Sequence, residues 1–523
     1  MSDTASPTSN QGSNASVVGP QLLNQFDSVD PEASPNRPVV FGVWLVWTAL
    51  ALLMVFFHEP WRDELQAWGI ARDSATPFDL LSNTRHEGHP PLWFVVLWPI
   101  AKVTSDAIAL QFVTLLLGCG ATWLTLRHMP VRLWIRIALV FGYFPLFEFG
   151  VMSRNYSLAY TLVIVFLWLS HRERTPQWLP ALVAFAVAAT AVNSMPLAIG
   201  LSLAVWGGPW FASLRRGPIN WKWLTPVFAL AALAAMVALP AMGGGRKLRL
   251  ELLSPSNIWN AFAAPARALA PFSELTDRFY SNPLLANYPK LAPYLGVALI
   301  VAVAFAVRRS RSALTIWLTT SILLPIIIVA TVMPIGARYI SPFFSALVAA
   351  VWFAAADRNA RPRRERPPVS PFVAVGAVAL LAMSLWAGLW ATWVDNHHPF
   401  SGGDAAAEWI EANATGDRPI VILCAANAPL CSSVSIRLDA PAYMRADGKP
   451  FAFVDWKPGW NSPLYAASIA TAARQLEQRT GAEVFIVATP TSVPPGCSDG
   501  YRTPSGTFTE YFVVCNANQL VGT

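Results

Sequence analysis

Two short stretches, HEPWRDELQAW at residues 58–68 and RHEGHPPLWF at 85–94, concentrate ionisable groups in a chain that otherwise has few. Asp63 and Glu64 are adjacent acids. A carboxylate there can serve as a general base or a metal ligand, or it can simply cap a helix, because acids favour a helix start. Glu87 and His89 stand just before a pair of prolines, where a His can neutralise phosphate, bind metal or shuttle a proton, and is also often only a satisfied interfacial group. Two isolated arginines follow, one in SRNYSLAY (Arg154, with Asn155 and Tyr156) and one in MPIGARYISPF (Arg338, with Tyr339). A guanidinium grips phosphate through two parallel hydrogen bonds; it also snorkels to lipid headgroups. Glu64 and Glu87 offer the oxygen ligands that Mg or Mn takes, but neighbouring carboxylates do not establish a metal, and no cofactor is certain. Gly-rich phosphate loops, zinc-ligand spacings and serine elbows are absent from the sequence, so it gives no sign of ATP use or serine hydrolysis.

The frame that must position these groups is a membrane. Of 523 residues, 54% are hydrophobic and 13% charged, with a mean hydropathy of +0.42, whereas a soluble domain carries about 25% charge. A water-soluble enzyme is therefore excluded. The net charge of +7, beside 23 Trp and 29 Phe, suits loops anchored at a membrane and not nucleic-acid binding. A helix needs about 20 apolar residues to cross hydrocarbon, because lipid offers no partner to an open backbone group. Such runs lie at 39–57, 107–126, 133–152, 156–170, 178–194, 196–212, 224–241, 291–307, 313–332, 339–356 and 371–392. They predict a polytopic α-helical membrane protein of about 11 transmembrane helices. The piece from Pro90 to Ala101 is too short and is expected to lie on the surface or insert in part.

The basic residues test this count. With the N-terminus cytoplasmic, the inner loops hold Arg127, Arg132 and Arg136, the Arg172 and Arg174 pair, Arg215, Arg216 and Lys222, the run at 308–311, and the arginines between 358 and 366. The short outer loops hold only Arg154 and Arg338. The positive-inside rule is met at every short loop, and counting 90–101 as a span would reverse it. Residues 1–38, rich in Ser, Asn and Pro, read as a disordered cytoplasmic tail, 39–394 as the transmembrane domain with long outer loops at 58–106 and 242–290, and 395–523 as a small C-terminal extracytoplasmic α/β domain. The loop at 242–290 is long enough to fold over a site as a lid, or to be a structural cap. In the tail, GDAAAEWIEANA and LYAASIATAARQLEQRTG read as helices, and PIVILC, EVFIVAT and TFTEYFVVC as strands. Four of the five cysteines lie there and suit two disulfides; proximity favours Cys424 with Cys431 and Cys497 with Cys515.

WRDELQAW after the first span, EGHPPLWF at the end of the first outer loop, SRNYSLAY and the late GARYISP resemble the membrane glycosyltransferases of the C superfamily, whose donors are lipid-phosphate sugars. Their relatives include the protein O-mannosyltransferases and the aminoarabinose transferases of lipid A. The likeness covers roughly residues 39–355. It implies that Asp63 is the catalytic carboxylate with Glu64 as its neighbour, that His89 and Arg154 lie near the donor phosphate, and that Arg338 joins them. Glu87, Asn155, Tyr156 and Tyr339 are expected to support them. Some relatives carry an acid shortly after the second-loop Arg; RNYSLAY has none, so a metal or acceptor role tied to it does not carry over.

The expected reaction moves a sugar, with inversion, from a polyprenyl-phosphate donor to an acceptor hydroxyl at the outer face of a bacterial inner membrane. Sequence leaves open the sugar and whether the acceptor is a lipid, a glycan or a protein. The rival classes are a multispan transporter and an envelope assembly factor without catalysis. Transporters commonly place their sites at the midplane between repeats, whereas these candidates sit at helix ends and no repeat is evident.

Overall fold

The computed structural model describes residues 36–207, 249–271, 280, 284–331, 336–366, 368–425, 428–455, 469–497, 499–504 and 510–522. The tail at 1–35, the expected span at 224–241 and parts of the expected lid (242–248, 272–279 and 281–283) lie outside them. Among the described residues, five helices are long and apolar enough to cross a membrane: α1 (Arg37–Phe57), α4 (Ile108–His128), α6 (Arg311–Ala330), α7 (Ala337–Asn359) and α8 (Pro371–His397). Between them come α2 (Arg62–Asp73), α3 (Leu92–Ala101) and α5 (Asn155–Ser170). The helices at Trp178–Ala188, Met195–Ser202 and Ala292–Val307 are apolar but shorter.

The stretch expected as one span at 133–152 is broken. A helix at Leu133–Val140 stops, and a π-turn at Phe144–Glu148 follows. Pro145 lacks the N–H that a continuous helix needs, so the chain re-enters helical structure with a wider turn. That turn buries Phe144 and Phe147 in the main core, where Phe144 stacks on Phe344 of α7 at 5.0 Å. Trp47 of α1 fills the space behind it, donating its indole N–H to the Val140 carbonyl at 3.0 Å.

Beyond α8 the described residues form a five-stranded sheet in the order β2-β1-β3-β5-β4, built from β1 (Ile420–Cys424), β2 (Ala442–Tyr443), β3 (Glu483–Ala488), β4 (Tyr501–Arg502) and β5 (Val513–Asn516). β1 runs parallel to β2 and β3, with Ile422 opposite Phe485, and β5 runs antiparallel to β3 and β4. Both faces are covered. α9 (Gly403–Asn413) and α10 (Ala428–Leu438) pack with Ile422, Phe485 and Val514, while α11 (Ile469–Thr480) packs with Leu423, Ile486 and Val513. Burial on both faces explains why β1, and β3 after Glu483, are unbroken apolar runs. Cys424 is bonded to Cys431 and Cys497 to Cys515, the pairing that proximity favoured.

This sheet is docked on the loop that follows α1. Ile436 of α10 shares a buried cluster with Leu65, Trp68 and Ile70 of α2. Gly69 makes that approach possible, because a Cβ there would stand 2.8 Å from the Ile436 side chain.

Candidate functional site

The adjacent acids part company at the start of α2. Glu64 occupies the third helical position and turns back. One oxygen accepts the Trp61 backbone N–H at 3.1 Å, as in a capping box, and the other accepts the Ser153 N–H at 2.5 Å. His58, just past the end of α1, meets Glu64 through Nε2 at 3.1 Å and Asp395 of α8 through Nδ1 at 2.9 Å, and all three side chains are fully buried. Burial alone would push the imidazole down, but the two flanking carboxylates, Asp395 first, hold His58 up at about 10. It is therefore an imidazolium donating to both acids, tying α1, α2, α8 and the loop before α5 into one unit.

A stability consequence follows from this buried unit. His58→Ala leaves two buried carboxylates facing each other, and losing one partner of such a network costs about 3–5 kcal/mol. A clear drop in melting temperature is expected, measured on the detergent-purified protein. The pH dependence has a definite sign: the folded value of about 10 lies above the free His value near 6.5. The stabilisation is full below about 6.5 and is lost as pH rises through 10. A wild-type melting temperature that stays flat from pH 7 to 10 would contradict the charged assignment.

Asp63, one position earlier, turns instead toward three arginines. Arg338 Nη1 stands 2.6 Å from its carboxylate, Arg62 Nε 3.7 Å and Arg154 Nη2 3.8 Å, with Arg154 Nη1 also donating to the Asp63 carbonyl. The Asp63 side chain keeps 24% of its surface exposed, against 14% for Arg338 and 10% for Arg154, so the acid is reachable and the cations are held from behind. Arg338 lies over the rings of Trp61 and Tyr339, 4.7 Å from each, and donates to the Tyr339 hydroxyl at 3.0 Å. Aromatic faces hold a guanidinium without neutralising it, which keeps it available for an anion.

Further residues extend the cluster. Tyr339 meets Tyr156 edge-on at 6.4 Å, and Tyr156 meets His89 edge-on at 6.3 Å. His89 reaches this position because Gly88 adopts a left-handed backbone, φ +73°, immediately before the two prolines. Asn155 donates to the Thr190 carbonyl at 2.8 Å, and so positions Arg154 through its neighbour. Glu87 faces elsewhere, accepting from Gln66 at 2.6 Å while Gln66 exchanges two hydrogen bonds with the Val454 backbone. Both oxygens of Glu64 and Oε1 of Glu87 are engaged by protein donors, an arrangement that does not suit Mg or Mn beside Asp63. Among the described residues, no group of three or more His, Cys, Asp or Glu is arranged to hold one.

Sequence reasoning missed several members. Glu148, buried at the end of the π-turn, accepts from the Tyr143 hydroxyl at 3.3 Å and the Tyr280 hydroxyl at 3.5 Å. Tyr280 packs edge-on against Trp61 at 6.0 Å, bringing the 242–290 segment into contact with the Asp63 turn. A lone acid inside an apolar run was the available signal for Glu148. Asp395, just beyond the last apolar run at 371–392, and Tyr280 carried none.

Protein-family models give no match to this chain, and no curated protein matches it. Among solved structures, the chain is similar to the crystal structure of ArnT from Cupriavidus metallidurans in the apo state. The match has 15% identity and a TM-score of 0.46, covering 92% of this chain and 98% of that one.

Proposed function

We propose that this protein is an inverting glycosyltransferase that takes a sugar from a polyprenyl phosphate at the outer face of the bacterial inner membrane and gives it to an acceptor hydroxyl. One observation carries the reading: Asp63, a partly exposed carboxylate, is ringed by Arg338 and Arg154 at the ends of apolar helices. A carboxylate among guanidiniums at membrane level suits a reaction that needs a base next to an anionic leaving group. It also explains why the two acids behave differently, since Glu64 is consumed in fixing the turn that presents Asp63.

The geometry suggests an exchange. Arg338 rests on Asp63 at 2.6 Å. When a lipid phosphate slides in from the bilayer, its oxygens take the guanidiniums of Arg338 and Arg154, with His89 as a further donor, and Asp63 is released. A carboxylate that loses its cation becomes a stronger base. Asp63 then accepts the proton of the acceptor hydroxyl as that oxygen bonds to the anomeric carbon. The bond from that carbon to the phosphate oxygen breaks on the opposite face, its electron pair leaving with the polyprenyl phosphate. The anomeric centre is inverted. The negative charge growing on the leaving phosphate is met by Arg338 and Arg154, already in place and needing little reorganisation.

The test uses the full chain in lipid nanodiscs, incubated with radiolabelled undecaprenyl-phosphate hexoses and pentoses and with lipid, glycan and peptide acceptors. Consumption of one donor, with an inverted anomeric linkage in the product, is expected. A protein that leaves every donor intact, or only moves one between leaflets, is a scaffold or a transporter.

A further inference from the structure

The residues after α8 reach into the Asp63 site through one acid. Glu510 lies just before β5 and is fully buried. Its carboxylate stands 3.3 Å from Arg62 Nε, and it accepts the Ser401 hydroxyl at 2.8 Å and the Arg62 backbone N–H at 3.4 Å. Its carbonyl accepts the Gly402 N–H at 2.9 Å. The same Arg62 Nε stands 3.7 Å from the Asp63 carboxylate. Arg62 is therefore shared between two carboxylates, one from each end of the chain.

The mounting of Glu510 is firm. Thr503 and Phe512 close the segment with two hydrogen bonds, β5 pairs with β3 and β4, and Cys515 of β5 is bonded to Cys497. Arg437 of α10 donates to the Pro60 carbonyl, steadying the turn that leads to Arg62.

We propose that Glu510 is a positioning residue for the transfer: by holding the Arg62 guanidinium it keeps that cation from neutralising Asp63, so that the C-terminal sheet sets the basicity of the acid. This rests on Asp63 being the base. A full ion pair lowers a carboxylate by about 1–3 pH units, and a weaker base is a slower one. Burial pushes Glu510 up to about 7 against the pull of Arg62, so its hold on Arg62 strengthens as pH rises past neutrality. Charged or titratable groups near the pair include Arg154, Arg338 and Tyr280 beside Asp63, and Arg437 with its neighbour Glu59 beside Glu510. All of them are the same in every variant below.

The experiment compares kcat against pH for wild type, Glu510→Gln, Arg62→Gln and the double variant, using whichever radiolabelled undecaprenyl-phosphate sugar the wild type consumes. Glu510→Gln frees Arg62 to pair with Asp63. Its kcat at pH 8 is expected to fall by about 3- to 10-fold, with the acid limb moved to lower pH, while KM for the donor stays near wild type. Arg62→Gln is expected to move the acid limb the opposite way. The double variant recovers kcat to within about threefold of wild type, because with Arg62 gone there is no freed cation to pair with Asp63. A double variant no better than Glu510→Gln, or single variants whose limbs move together, overturns the proposal. If Glu510→Gln does not fold, judged by melting and gel filtration, Arg62→Gln decides alone: a kcat loss beyond about tenfold overturns the proposal, and an upward limb shift with kcat retained supports it. Full activity in Asp63→Asn would instead remove the base assignment on which this rests, a separable failure.

Discussion

Asp63→Asn is expected to lower sugar transfer by about 10²- to 10⁴-fold, the usual range for loss of a positioned general base. Asn keeps the shape of the side chain and can still accept from Arg338, but it cannot take the acceptor proton. Its backbone setting is secured elsewhere, by Glu64 through Trp61, Ser153 and His58. The melting temperature should therefore stay close to wild type, and KM for the donor should not rise. Kinetics on the folded variant check this. A Glu64→Gln variant gives the contrast: its main deficit should be in stability, because the buried imidazolium of His58 loses one of its two anions. Equal damage to stability from both substitutions would mean that the acids share a structural role.

Arg338→Gln is expected to cost about 10²- to 10³-fold in kcat, the scale seen when one preorganised donor to a developing oxyanion is removed. It should also weaken binding of undecaprenyl phosphate, which tryptophan fluorescence can follow because Trp61 lies against the guanidinium. Arg338→Lys keeps the charge but not the planar fork over Trp61 and Tyr339, so it should recover only part of the loss. If the Gln variant bound lipid phosphate as wild type does and turned over normally, Arg338 would be a structural partner of Asp63 and nothing more.

The sequence exposed some parts of this arrangement and hid others for identifiable reasons. The long spans were legible because lipid demands about 20 apolar residues and tolerates little else; α1, α4, α6, α7 and α8 begin and end within a few residues of the apolar runs. The break at Pro145 was less visible, since apolar composition continues through it and only the backbone chemistry of proline marks it. Strands Ile420–Cys424 and Glu483–Ala488 stood out as apolar runs, whereas the two-residue strands at Ala442–Tyr443 and Tyr501–Arg502 are too short to have a pattern. Of the candidate residues, Asp63, Arg154 and Arg338 come into one cluster, with His89 joined to it through Tyr156. Which of the adjacent acids caps the helix was not legible from residue types alone, because a general base and a cap use the same residue types at the same helix start. Nor were the pairings of His58 with Asp395 and of Arg62 with Glu510, which join residues more than 300 positions apart along the chain. Pairings of that separation have no local signature.

The central claim is that Asp63 and Arg338 form a lipid-open pocket in which an incoming phosphate displaces the acid from the guanidinium. Cryo-electron microscopy of the full chain in nanodiscs with undecaprenyl phosphate tests it most directly. The expected map has phosphate density between Arg338 and Arg154, with the 2.6 Å contact between Arg338 and Asp63 opened and the carboxylate facing the space beside the phosphate. Phosphate density away from both arginines, with the Asp63–Arg338 contact intact, would contradict it.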